Sequence, residues 1–123
     1  MIVDSTQESF ASDFKEEGLS IVDFWAEWCA PCRSFAPIFA QSAQERPEIA
    51  HLKVNVDEEL NLARFFEITS IPTTVFIRDG YLLDSITGAI SKSRLDDLIT
   101  QSYNLDMEMV KKEGKLIKEL LRS

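Results

Sequence analysis

The sequence predicts a single α/β domain built on a mixed β-sheet with helices on both faces. Strand-like and helix-like segments follow one another as strand, helix, strand, helix, strand, helix, strand, strand, helix. The segment LSIVDFWA, from Leu19 to Ala26, is an almost unbroken run of β-branched and aromatic residues, as in a strand buried on both faces. Late in the chain Asp79-Gly80 separates TTVFIR from YLLDSIT, the two-residue signal of a hairpin. Early alternation demands parallel pairing through right-handed crossovers, and the hairpin adds antiparallel strands.

Each element has a local reason. Ile2-Val3 is a candidate short strand, and STQESFASDFKEE reads as a helix with Phe10 and Phe14 on one face, ended by Gly18. After Cys29 the period changes: Phe35, Ile38, Phe39 and Ala43 mark an amphipathic helix from about Ala30 to Glu45. Pro31 sits in its first turn, where a missing N–H does no harm. Pro37 lies inside, where it should kink the helix, and Pro47 bars continuation. HLKVNV (51–56) alternates as a strand, and EELNLARFFEI (58–68) reads as a short helix with Leu60, Ala63 and Phe66 aligned. Ser91 can N-cap a last domain helix carrying Leu95, Leu98 and Ile99. The eight phenylalanines and Trp25 read as core, and His51 as a satisfied strand-end residue.

At 123 residues the length suits one domain with a proper core. Net charge is −8, which disfavours nucleic acid and an anionic membrane surface as partners. The N-terminal MIVDSTQESF has neither the basic start nor the apolar run of a secretory signal, and no stretch is long enough for a membrane helix. A cytoplasmic location is the expectation.

The chain's two cysteines, Cys29 and Cys32, are separated only by Ala30 and Pro31. A disulfide between them would close a tiny loop worth only about 2 kcal/mol, a poor structural staple. Half a zinc site is equally poor, because the one histidine, His51, is the only further Cys or His ligand. The spacing instead suits redox chemistry. Cys29 falls where a strand ends and a helix begins, and a helix N-terminus favours a thiolate, the species that attacks disulfides. Cys32, one turn on, is placed to resolve a mixed disulfide. Asp23, a carboxylate in an apolar strand, is either a salt-bridged core residue or an acid with a raised pKa suited to proton transfer. Lys53 is either its neighbour or a plain strand-face lysine.

WCAPC following VDFWAEW, then KVNVD (53–57), AxxFxI (63–68), SIPT (70–73) and TGAIS (87–91) together resemble the thioredoxin family, in register over residues 1 to about 103. The resemblance implies a thioredoxin fold with strand order 1-3-2-4-5 and protein-disulfide reduction by dithiol exchange. It implies Cys29 as the attacking thiol, Cys32 as the resolving thiol, Asp23 as the buried acid that helps deprotonate Cys32, and Lys53 as the group tempering its shift. Pro72, by spacing alone an ordinary trans proline, matches the family's cis-proline. Trp28, Ala30, Pro31, Ile71, Pro72, Gly88 and Ala89 would bind the substrate, the backbone before Pro72 pairing with it as an added strand. Disulfide-containing client proteins and a thioredoxin reductase, itself an NADPH-using flavoprotein, would be the partners.

No cofactor or metal is expected beyond the Cys29–Cys32 pair itself, and neither a G-x-G-x-x-G nor a P-loop occurs. Ala30 replaces the family's usual glycine, Arg33 a frequent lysine, and Thr87 a frequent aliphatic residue. Pro31 stands where strongly oxidising relatives carry histidine, so a reductant is expected.

The expected domain is 1-103, with 104-123 a C-terminal amphipathic helical extension. The segment from Ser102 onward holds four acidic and five basic residues, so the chain's acidity lies in the main domain. Met109, Val110, Leu116, Ile117, Leu120 and Leu121 recur at near-helical spacing over three to four turns, weakened at Gly114. Such a helix is marginal unless its apolar face is covered. Its own domain, a second copy or a client could cover it, and in the last case the chain could serve as a binding module or holdase with redox activity secondary.

Overall fold

The computed structural model describes residues 1–114 together with Ile117 and Leu121. Five strands, β1 (Ile2–Asp4), β2 (Leu19–Trp25), β3 (Ala50–Asn55), β4 (Thr73–Arg78) and β5 (Tyr81–Thr87), form one sheet in the order β1-β3-β2-β4-β5. The β1–β3 and β2–β3 pairs are parallel, whereas β2–β4 and β4–β5 are antiparallel. The helices are α1 (Phe10–Asp13), α2 (Ala30–Glu45), α3 (Leu60–Phe65), α4 (Lys92–Asn104) and α5 (Met107–Glu113). The mixed thioredoxin fold expected from the sequence is the fold observed.

Alternation along β2 splits the core into two layers. Val22 and Phe24 face one side with Leu52, Val54, Val75 and Ile77, under Phe10, Phe14 and Leu62. Leu19 and Ile21 face the other with Phe76, under Phe35 and Phe39 of α2 and Leu95, Leu98 and Ile99 of α4. The hairpin turns at Asp79-Gly80 with φ of 55° and 83°, the left-handed conformation this turn requires. Pro37 lies inside α2 without ending it. The Ser91 hydroxyl accepts from the Arg94 N–H at 3.1 Å and caps α4 as anticipated.

Two local expectations are corrected. The helix anticipated from Ser5 to Glu17 is confined to Phe10–Asp13. Thr6 and Ser9 bond each other's backbone through their hydroxyls, and the Ser5 and Ser9 hydroxyls both donate to Asp13 Oδ2, so local side-chain bonds displace helical ones. Phe14 is already extended, yet its ring still meets Phe10 at 5.4 Å. In α3 the buried face is Leu62 with Phe65 and Phe66, while Leu60 is exposed.

The tail is interrupted at Gly114, where its sequence is weakest as a helix. The helix α5 ends at Gly114, whose N–H caps onto the Val110 carbonyl at 2.8 Å. A Cβ there would meet that carbonyl oxygen at 3.0 Å and the Tyr81 ring at 3.4 Å, so the close approach suits glycine. Ile117 donates its N–H to the Gly80 carbonyl at 2.8 Å and is buried in the layer of Phe10 and Phe14, with Leu121 packed beside it. Because α4 lies on the opposite face, the chain passes the hairpin tip from one face of the sheet to the other. Leu116 and Leu120 lie outside the described residues.

Candidate active site

Cys29 is the N-cap residue of α2, with extended backbone and its Sγ accepting the Cys32 N–H at 3.2 Å. Pro31 occupies the first turn, as the missing N–H allows. Cys29 and Cys32 form a disulfide with their Cα atoms 5.2 Å apart. Both sulfur residues are nearly buried, against Ala26 with Trp25, Val56 and Ile71 alongside. Ala30 and Pro31 remain exposed, so the pair is approached from the helix-turn side. Arg33 reaches back to the Glu27 carbonyl at 2.7 Å and braces the loop preceding the cysteines.

The opposite wall is the loop before β4. The Ile71-Pro72 peptide is cis, and the Ile71 carbonyl lies 3.7 Å from Cys29 Sγ. The Gly88 N–H donates to the Pro72 carbonyl at 2.8 Å, which draws Gly88 and Ala89 to the same rim. Gly88 has φ of 104° with open space where a Cβ would stand, so backbone conformation rather than crowding calls for glycine. Trp28 is 69% exposed, and its indole N–H donates to Asp57 Oδ2 at 2.9 Å. An open depression lined by Glu27, Trp28, Asn55, Asp57 and Glu58 adjoins it.

Asp23 is fully buried in β2. It follows Leu19 and Ile21 on the sheet face covered by α2, where Cys32, Phe35 and Phe39 form the buried side of the helix. Because α2 runs back over β2, Cys32 stands at the same end of this layer as Asp23. Neither carboxylate oxygen has a hydrogen-bond partner among the described residues. Burial pushes the Asp23 pKa up to about 7, and the Lys53 ammonium pulls the other way. Lys53 is the register partner of Asp23 on β3, and its Nζ sits 4.7 Å from the centre of the Trp25 ring. Among the described residues no hydrogen bond or salt bridge reaches the Asp23 oxygens, so a salt-bridged core carboxylate is not what the structure describes.

The Thioredoxin family profile matches residues 1–101. The chain belongs to the thioredoxin family. It is 42% identical over 94 residues to a thioredoxin of Mycoplasma pneumoniae, covering 76% of this chain and 88% of that one. A thioredoxin of Chlamydia pneumoniae is 40% identical over 96 residues, covering 78% and 93%. Among solved structures, a thioredoxin of Malassezia sympodialis superposes with a TM-score of 0.73 at 32% identity, over 82% of this chain and 89% of its own. The Cys29–Cys32 disulfide occupies the CxxC position, and like other thioredoxins the chain is a protein-disulfide reductase working by thiol–disulfide exchange.

Cys29, Cys32 and Ile71 thus meet at one centre, with the Gly88 backbone bonded to Pro72 beside it and Lys53 over the Trp25 ring. Sequence reasoning missed Asp57, Val56 and Ala26. Asp57 closes the KVNVD block, but only the return of β3 beside Trp28 brings its carboxylate to the indole. His51 is satisfied as expected, between the Ser42 hydroxyl and the Ile49 carbonyl at 2.9 and 3.0 Å. Among the described residues, no cluster of three or more His, Cys, Asp or Glu side chains is placed to hold a metal, and no helix is long and apolar enough to cross a membrane.

Proposed function

We propose that this thioredoxin-family chain is a general reductant of client-protein disulfides, with the roles divided as follows. The Cys29 thiolate attacks one sulfur of a client disulfide, forming a mixed disulfide and releasing the client's first thiolate. Ionised Asp23 takes the Cys32 proton, and the Cys32 thiolate then attacks Cys29 Sγ. That step forms the Cys29–Cys32 disulfide and releases the client's second thiolate, so two electrons pass to the client. A thioredoxin reductase returns the pair to the dithiol, and the cytoplasm is the setting.

The observation that carries this reading is the Cys32 N–H directed at Cys29 Sγ on the N-cap of α2, which stabilises a thiolate there. Lys53 tempers the acid below. Trp28, Ala30, Pro31, Ile71, Pro72, Gly88 and Ala89 receive the client, whose extended backbone pairs with Ile71 as an added strand. Residues 1-103 carry this chemistry, and 104-123 form an extension whose burial of Ile117 supports packing on its own domain.

The deciding experiment is the reduction potential of the Cys29–Cys32 pair, equilibrated against dithiol buffers and read by tryptophan fluorescence. The expected value is near that of thioredoxin, about −270 mV, and a value above about −200 mV would instead place the chain with isomerases or oxidants.

A further inference from the structure

A row of paired residues crosses the sheet at the level of Asp23. Lys53 on β3 and Thr74 on β4 are its register partners on either side, with Asp4 beyond Lys53 and Ile86 beyond Thr74. Residues paired in register point to the same face. Asp23 and Thr74 therefore enter the same layer, and both are fully buried.

Both are also unpaired. The two carboxylate oxygens of Asp23 and Oγ1 of Thr74 have no hydrogen-bond partner among the described residues. The neighbouring Thr73 shows the contrast, since its hydroxyl donates to the Ser70 carbonyl at 2.6 Å. A buried hydroxyl left without a partner costs about 1–3 kcal/mol, and valine would fill the same space in a strand without that cost. Directly opposed residues on antiparallel strands hold their Cβ atoms about 4.5–5.5 Å apart. Rotation of the Thr74 side chain about χ1 thus carries its hydroxyl toward the carboxylate.

The remaining groups around Asp23 leave Thr74 as the well-placed hydroxyl. From β3 comes Lys53, held over Trp25. From α2 come Cys32 and Phe35, and α4 buries Leu95, Leu98 and Ile99 together with Ser102, whose hydroxyl is already engaged by the Leu98 carbonyl at 2.8 Å. The charged side chains Glu45, Arg46, Lys92 and Asp96 pair among themselves at the far end of α2. Trp25 Nε1 is a second unpartnered donor, but it lies two residues along β2, about 6.7 Å away along the strand.

We propose that Thr74 is a positioning residue for the Asp23 proton, its hydroxyl donating to the carboxylate when Asp23 is ionised and accepting from the acid when it is protonated. The bond to the charged form is the stronger, so Thr74 favours ionisation and readies Asp23 to accept the Cys32 proton. This rests on the role given to Asp23 above.

The test is a carbon-13 carboxyl NMR titration of Asp23 in the oxidised full chain. Thr74→Val should raise the Asp23 midpoint by about one pH unit, and Thr74→Ser should return it to the wild-type value. An unchanged midpoint in Thr74→Val, with a raised melting temperature, would overturn the proposal, because the hydroxyl would then be merely an unpaired group. Should Thr74→Val fail to fold, Thr74→Ala against Thr74→Ser gives the same comparison. Asp23→Asn separates the two readings: a mixed disulfide that resolves at the wild-type rate at pH 7 defeats the role of Asp23, whatever the Thr74 titration shows.

Discussion

The backbone N–H of Cys32 donates to Cys29 Sγ at 3.2 Å, which places the N-cap sulfur under the first-turn donors of a sixteen-residue helix. Two sulfurs on one turn have different surroundings as a result. Cys29 meets the helix N-terminus and the Ile71 carbonyl, whereas Cys32 lies on the buried face of α2 above Asp23.

That asymmetry predicts distinct single-cysteine phenotypes. Cys29→Ser should lose at least about a thousandfold in the rate of reduction of a disulfide-bonded protein. Cys32→Ser should still attack but stall, and mass spectrometry should find the chain covalently joined to its client through Cys29. A stable adduct formed by Cys29→Ser instead would reverse the assignment.

Asp23 predicts a pH dependence of stability. Its pKa is raised from 3.8 to about 7 by burial, so between those values the folded protein binds more protons than the unfolded chain. Stability should therefore fall as pH rises through this window, by on the order of 4 kcal/mol, and level off above it. Denaturant titrations from pH 4 to pH 8 should show this decline in the wild type and much less of it in Asp23→Asn. Parallel profiles for the two proteins would mean that Asp23 ionises freely in the fold.

Trp28 predicts a binding defect without a folding defect. The side chain is largely exposed, and its indole N–H donates to Asp57 Oδ2. Trp28→Ala should raise KM for a protein disulfide about tenfold, roughly 1.4 kcal/mol, and leave the melting temperature nearly unchanged. A large drop in melting temperature would make Trp28 a structural residue instead.

Ile117 predicts that the tail stabilises its own domain. The side chain is fully buried against the layer containing Phe10 and Phe14. Ile117→Ala should cost about 2 to 4 kcal/mol in urea unfolding, with the mass by light scattering that of the wild type. A change of mass with unchanged stability would show that the residue serves an interface between chains.

Most of the secondary structure was legible because its causes are local. The hairpin followed from Asp79-Gly80, α2 from the spacing of Phe35, Phe39 and Ala43, and the α4 cap from Ser91. The failures were local too, but arose from competing local bonds. Phe10 and Phe14 carried the periodicity of a helix, while the Ser5, Thr6 and Ser9 hydroxyls satisfied the backbone another way. In α3, Leu62 rather than Leu60 turned inward because a six-residue helix follows the packing of its neighbours more than its own pattern.

The chemistry was readable because it rests on covalent neighbours: Cys29 and Cys32 share one turn by spacing alone, at the junction of a strand and a helix. The partners of that chemistry come from distant segments. Asp57 beside Trp28, the Gly88 N–H on the Pro72 carbonyl, Thr74 facing Asp23 and Ile117 beneath the sheet all depend on strand register and on which face each element covers. A slip of one residue in β4 would turn Thr74 to the opposite face, and no local pattern records that choice. Spacing along the chain thus determined which atoms react, and the pairing of strands decided which groups surround them.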